Sequence, residues 1–411
     1  MPTFPMLERI AYLNAGTFGP LSRKTIDAVV AQTTLELEAG RSGVPYIESL
    51  KALRTSVRGL LAELLGVGQQ HVALTFSTSA GCQVVLAGLG LGADDEIVTT
   101  DEEHFGLLGP LHASGARVRV AETRHRPPNE ALGTILAAVG PRTRLVALSH
   151  VSWLTGHLLP VDAVKAETGL PLLVDGAQSV GAMPVEMGAA DFYTVSGQKW
   201  LCGPDATGAL YVADPERLGI SRPTYWSRAA HERDGSFTPV EGAARFDSGA
   251  IPAPSLAGLE AALSDVPDSR FAAGSEAAAR CRELLAERFD IVTAPDQATL
   301  VTFRPNGDAA DTVARLFEAG VIVRDLPGTG WVRVSCGYWT TDDHLERLVE
   351  ALTRRATSSA AGTSSMDGRT LPAGTRISKR RSGLCRPAAR TSSVSRRFPS
   401  GGSKSSVLGA A

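Results

Sequence analysis

Short apolar runs rich in Val, Leu and Ile, each bounded by Gly, Asp or Ser, recur through the first half of the chain. They lie at residues 72–76, 97–100, 116–120, 144–149, 172–175, 191–195 and 208–212. Runs of this length with so few polar interruptions read as strands covered on both faces. Between them, residues 81–91, 129–139 and 161–168 place apolar side chains at helical spacing. The alternation predicts an α/β domain with a mainly parallel, seven-stranded sheet. Open sheets of this kind bind ligands at the carboxyl ends of their strands. Thr78, Ser79, His104, Ser152, Asp175 and Ser196 all fall at those ends or just beyond them.

From about residue 246 the pattern changes. Helices are expected at 256–263, 275–289, 309–319 and 342–355, and strands at 299–304, 321–325 and 331–335. Together they form a smaller α+β domain over 246–355, after a large domain over 22–245. Residues 1–21 include a Gly/Pro-containing stretch too irregular to stand alone, expected as an arm packed near the active site. A helix over 22–38 is expected to join the small domain or a subunit contact. Residues 356–411 carry ten Lys/Arg against one acid, with few large apolar residues. Such a segment buries too little surface to offset chain entropy, so it reads as a basic, disordered and passive tail rather than a nucleic-acid contact.

Composition narrows the function classes. No apolar run is long enough for a membrane span, and no basic segment followed by an apolar one opens the chain, so a cytoplasmic protein without membrane contact is expected. Cys82, Cys202, Cys281, Cys336 and Cys385 show neither metal-site spacing nor an even framework and read as free thiols. The block Asp101-Glu102-Glu103-His104 is not read as a metal site, because adjacent residues on an irregular turn rarely converge on one ion.

The chemistry concentrates in two segments. Asp175 ends an apolar strand and opens Asp175-Gly-Ala-Gln178-Ser; Lys199 follows 24 residues later in Ser196-Gly-Gln198-Lys199-Trp200. A carboxylate that keeps a pyridinium nitrogen protonated, with an amine that forms a Schiff base, supplies both ends of pyridoxal phosphate chemistry. Trp200, Leu201 and Gly203 are poor surroundings for a solvated ammonium, and desolvation lowers a lysine pKa. Ser77-Thr78-Ser79 at a strand-to-helix turn offers hydroxyls and free amides for a phosphate. His104 is placed to stack on a pyridine ring, Gln178 to reach its phenolate oxygen, and Arg333, alternating on a strand, to clamp a carboxylate.

These motifs resemble, in order, the class V, fold type I pyridoxal phosphate enzymes. The resemblance spans residues 10–355 and rests on Tyr12-Leu-Asn14-Ala-Gly-Thr-Phe-Gly-Pro20, the Asp-Glu-Glu-His104 block, Ser149-His-Val-Ser-Trp-Leu-Thr-Gly156, the Asp175 and Lys199 segments, and Arg333-Val-Ser-Cys-Gly-Tyr338. It implies Lys199 as Schiff-base lysine, Asp175 as pyridinium partner and His104 as stacking and catalytic residue. It further implies Thr78, Ser79, Ser196 and Gln198 at the phosphate, Ser152 and Gln178 at the cofactor, and Arg333 with Asn14 at the substrate. It also implies a homodimer acting on a small amino acid.

Within the superfamily the segments around Trp153 and Arg333 are most similar to cyst(e)ine C-S lyases and isopenicillin N epimerase-like proteins. The loop Asp325-Leu-Pro-Gly-Thr-Gly-Trp331 lacks the cysteine a persulfide-forming desulfurase carries before its carboxylate arginine. The expected reaction is β-elimination from cysteine, cystine or a cysteine S-conjugate. Transamination, epimerisation and a silent cofactor-binding scaffold stay open. Ala250 stands where relatives often carry a threonine that reaches a neighbouring subunit's phosphate.

Overall fold

The computed structural model describes residues 3–354. The expected basic tail, with Cys385, lies outside the described residues. Seven strands form one sheet: β1 (Val72–Thr75), β2 (Glu96–Thr100), β3 (Arg117–Ala121), β4 (Thr143–Ser149), β5 (Leu172–Asp175), β6 (Phe192–Ser196) and β7 (Gly208–Val212). Their spatial order is β1-β7-β6-β5-β4-β2-β3, and only β7 runs against the rest. This is the α/β architecture expected from the pattern, with strand ends within one or two residues of their expected positions. β1, β2, β5, β6 and β7 are buried at every position. Helices therefore cover both faces, and the apolar runs show no alternation.

Two helices run against local propensity. Gly43–Leu64 begins with Gly and Pro, and Phe105–Ala113 contains Gly106, Gly109 and an internal Pro110. Burial overrides propensity in both: Val57 and Leu61 from the first, and Leu107 and Leu111 from the second, lose all contact with solvent. The helix Arg23–Ala39, expected to join the small domain or a subunit contact, packs along Ala253–Ser264. That partner helix sends Leu256 and Leu259 into the main core.

A second core lies around an antiparallel four-stranded sheet in the order Asp290–Ile291, Leu300–Arg304, Trp331–Ser335, Arg324–Leu326. The single strand expected at 321–325 is split. Val321–Ile322 pairs in parallel with Ala11–Tyr12, whereas Arg324–Leu326 pairs with Trp331–Ser335. The break at Val323 lets one segment serve two neighbours. It thereby draws the N-terminal strand, with Ala11 and Leu13, into this core. Asn14 continues the contact through a bridge to Ser335.

Candidate active site

The carboxyl ends of β1, β4, β5 and β6 open onto a cleft of about 140 Å3. Thr78, Ser79, His104, Asp175, Gln178, Ser196, Gln198 and Lys199 line it, as does Ser149, which sits beside Asp175 in the β4–β5 register. Ser77 caps the helix Thr78–Leu89 by accepting from Ala80 N at 3.3 Å, and Ser77, Thr78 and Ser79 at this helix start line the cleft. Across it, Thr78 Oγ1 and Ser196 Oγ lie 2.5 Å apart. Hydroxyls, amides and a helix N-terminus converging at one point suit a phosphate dianion.

Asp175 is buried. Its Oδ1 accepts from Ala177 N at 2.8 Å, and Oδ2 has no hydrogen-bond partner among the described residues. Burial raises its pKa, opposed by the Lys199 ammonium and by the Ala177 amide. Lys199 is half-buried, its amine without a hydrogen-bond partner among the described residues. Burial pulls its pKa down to about 8; Asp175 resists that shift, and Arg333 and Arg324 reinforce it. A lysine so placed is largely ammonium at neutral pH yet gives up its proton readily. Gln198 Oε1 is buried without a partner.

His104 stands exposed at the cleft. Its Nδ1 accepts from Gly106 N at 3.0 Å, so in that tautomer its proton is on Nε2, and its ring meets the edge of Trp153 at 4.9 Å between centroids. Crowding on that side withdraws water and, with Lys199, Arg324 and Arg333 nearby, lowers its pKa to about 4. The imidazole is therefore neutral and flat-faced at physiological pH. Gln178 spans the floor, donating from Nε2 to Gly16 O at 2.9 Å and accepting from Trp200 Nε1 at 3.1 Å.

A second wall, beside the cleft rather than lining it, comes from the second core and is joined to the cleft through Trp153, which does line it. Arg333 is 1% exposed and has no acidic partner among the described residues. Its Nη1 donates to Trp153 O at 3.0 Å, Nη2 approaches Thr17 Oγ1 at 3.4 Å, and Nε has no partner. Arg324, its register partner on the neighbouring strand, reaches the same Thr17 hydroxyl at 3.2 Å. Burial, with Arg324 beside it, lowers the Arg333 pKa to about 9. A guanidinium stays charged at neutral pH, so the same desolvation and repulsion favour an incoming anion.

One expected residue is placed elsewhere. Ser152 is fully buried and donates to Glu102 Oε2 at 2.5 Å, while the amides of Leu154 and Thr155 donate to its hydroxyl. It organises a turn and does not face the cofactor cleft. Asn14, like Arg333, does not line the cleft; its Oδ1 accepts at 2.9 Å from Thr17 Oγ1, the hydroxyl that Arg333 and Arg324 approach, so it stands beside the arginine pair. Sequence reasoning missed Arg324, Thr17 and the buried acids Glu102 and Glu103 as parts of the site. The alternation that singled out Arg333 carries no sign of its cross-strand neighbour. The acids were visible only as a charged block before His104.

The uncommitted groups on this cleft fit pyridoxal phosphate: an amine without a partner, one free carboxylate oxygen, an orphaned amide oxygen and a hydroxyl cradle at a helix end. Comparison with known proteins agrees. The family model for aminotransferase class-V matches residues 12–347. Isopenicillin N epimerase of Streptomyces clavuligerus is 30% identical over 383 residues, covering 84% of this chain and 94% of that protein. A probable cysteine desulfurase of Pseudomonas putida is 29% identical, covering 75% of this chain and 84% of that protein. Two structures of C-DES superpose at 28% identity over 85% of this chain. One, a variant with glycine covalently linked to its PLP cofactor, has a TM-score of 0.80 and is covered over 98% of its length. The other, a cystine C-S lyase with its product cysteine persulfide, has a TM-score of 0.79 and is covered over 99%. The matched motifs, the seven-stranded sheet and the cleft at its carboxyl edge together place this chain in the aminotransferase class-V family of pyridoxal phosphate-dependent enzymes.

Proposed function

We propose that the protein is a carbon–sulfur lyase that eliminates the sulfur substituent from the β-carbon of L-cysteine, L-cystine or a cysteine S-conjugate. Pyruvate, ammonia and a sulfur species are the products. The observation that carries this reading over a persulfide-forming desulfurase is the state of the thiols. Cys82, Cys202, Cys281 and Cys336 are all buried, and the loop before Arg333 contains none. A nucleophilic cysteine must be accessible and electropositively placed; burial pushes Cys82 and Cys202 up, away from the thiolate, and the hydrogen bond with Cys336, with burial, does the same to Cys281. The sulfur would leave by elimination, with no thiol among the described residues attacking it.

Pyridoxal phosphate, when bound here, would supply an aldehyde for the Lys199 amine and a ring that withdraws electrons from the substrate Cα. Thr78, Ser79, Ser196, Gln198 and the helix N-terminus would hold its phosphate, Asp175 its ring nitrogen, and His104 its ring. Arg333 receives the substrate carboxylate and orients the Cα–H bond. This positioning is worth several kcal/mol in favourable cases. Lys199 Nζ would take the α-proton as general base, and departure of the β-sulfur with its bonding electron pair would complete the elimination.

Purified protein loaded with pyridoxal phosphate and given L-cystine should release pyruvate and ammonia in equal amounts. No pyruvate from L-cystine, L-cysteine or an S-alkyl cysteine, in protein whose cofactor spectrum still responds to them, overturns the elimination reading. Epimerisation is the second reading, favoured by the 30% identity to an epimerase over most of the chain and by the ring of His104 lining the same cleft as Lys199. It would show as exchange of the α-hydrogen with solvent deuterium and loss of optical rotation without pyruvate.

A further inference from the structure

Two consecutive acids, Glu102 and Glu103, precede His104 and are both buried. Neither forms an ion pair among the described residues; each collects hydroxyl donors instead. Glu103 accepts from Thr100 Oγ1 at 2.7 Å and from Ser149 Oγ at 2.5 Å, and Ser149 N donates to its carboxylate at 3.0 Å. That set ties the ends of β2 and β4 together. Glu102 reaches the other way. Its Oε2 accepts both Ser152 Oγ and Thr155 Oγ1 at 2.5 Å.

The turn those hydroxyls belong to is also held from the second core. Thr302 Oγ1 donates to Leu154 O at 2.7 Å, and Thr293 Oγ1 donates to Thr155 O at 2.6 Å. Thr302 is the register partner of Arg333 on the neighbouring strand. Gly156 closes the turn with φ +75°, and a Cβ there would stand 2.7 Å from Leu300 O, so only glycine fits both the conformation and the gap. Between these anchors lies Trp153, whose carbonyl accepts from Arg333 Nη1 at 3.0 Å and whose ring edges His104.

We infer that Glu102 is a positioning residue for Arg333: by gripping Ser152 and Thr155 it fixes the Trp153 carbonyl that aims the guanidinium at the substrate carboxylate. The inference rests on the reading of Arg333 as the carboxylate anchor. A buried carboxylate holding two hydroxyls makes charge-assisted hydrogen bonds, the stronger kind, so one residue can hold the whole turn.

The test uses cofactor-loaded full-length protein and glycine, which binds through its amine and carboxylate but has no β-substituent to lose. Its dissociation constant is read from the cofactor absorbance. Glu102→Ala should weaken glycine about tenfold while the spectrum without glycine and cofactor retention stay at wild-type values. Thr155→Val, nearly isosteric and lacking one of the two donors, should weaken it about threefold and covers the case in which Glu102→Ala does not fold. Arg333→Leu should weaken glycine more than either, and adding Glu102→Ala or Thr155→Val to it should weaken glycine no further. Wild-type glycine affinity in Glu102→Ala and Thr155→Val, or full additivity with Arg333→Leu, overturns the inference. Wild-type affinity in Arg333→Leu itself overturns the anchor reading on which it stands.

Discussion

The sheet wall of the cleft and the arginine wall beside it are built in different ways. The sheet wall is assembled from residues at or just after strand ends: Thr78 after β1, His104 after β2, Ser149 on β4, Asp175 on β5, Ser196 on β6 and Lys199 just beyond it. Each is placed by its own strand, and the parallel register carries them to one edge. The arginine wall is assembled from distant pieces: Thr17 from the N-terminal segment, Trp153 from a turn after β4, and Arg324 and Arg333 from adjacent strands of the second core. The first wall depends on strand order, the second on how two cores meet. On the proposed reading the cofactor's chemistry would belong to the first, and selection of the substrate to the second.

The largest effect should come from removing the reactive group of the sheet wall. Lys199→Ala should lower turnover by about a thousandfold or more, since it deletes both the amine and the general base. Amino acids should still perturb the cofactor spectrum, because Arg333 is untouched. Loss of that response would mean that the two walls are not independent.

Gly16→Ala strikes the second wall hardest and the floor of the cleft at Gln178 less. A Cβ there would lie 2.7 Å from Arg333 Nη2 and 3.0 Å from Gln178 Oε1. The guanidinium must shift, and amino-acid affinity should fall about tenfold, as overpacking by a methyl typically costs 1–3 kcal/mol. Cofactor retention should change less than amino-acid affinity; equal losses in both would erase the distinction between the walls.

A milder perturbation is pH. Lys199 is a nucleophile only as the free amine, and its pKa is lowered to about 8. The rate at which cofactor-free protein recombines with pyridoxal phosphate should therefore rise with pH up to about 8 and level off above it, followed by absorbance. A rise continuing toward the ordinary lysine value would mean that the wall does not desolvate the amine. The smallest effect is expected for Ser79→Ala, one hydroxyl of the phosphate cradle. Cofactor should be lost a few times faster on dilution, with substrate affinity of the loaded protein unchanged.

The sheet wall was the more legible of the two. The Asp175 and Lys199 segments, the hydroxyl turn after β1 and His104 all lie where the apolar runs stop, and a run that stops marks the ligand edge of a buried strand. Ser152 misled because the same pattern cannot tell which way a side chain turns after the strand ends. Its hydroxyl faces Glu102, 50 residues earlier, and no local spacing records that choice. Arg324 was silent for a similar reason: it matters as the partner of Arg333 across a strand pair whose register only the folded sheet defines.

By itself the sequence determined the strand-and-helix alternation, the edge at which chemistry collects, and the pairing of a buried carboxylate with a desolvated lysine. These follow from periodicity and from residues adjacent to it. The tertiary structure alone decided that two arginines share one threonine hydroxyl, that Glu102 grips the turn beneath them, and that the N-terminal strand joins the second core. Those contacts bring together residues as many as 316 positions apart. They are set by the packing of two cores against one another, which leaves no period in the chain to read.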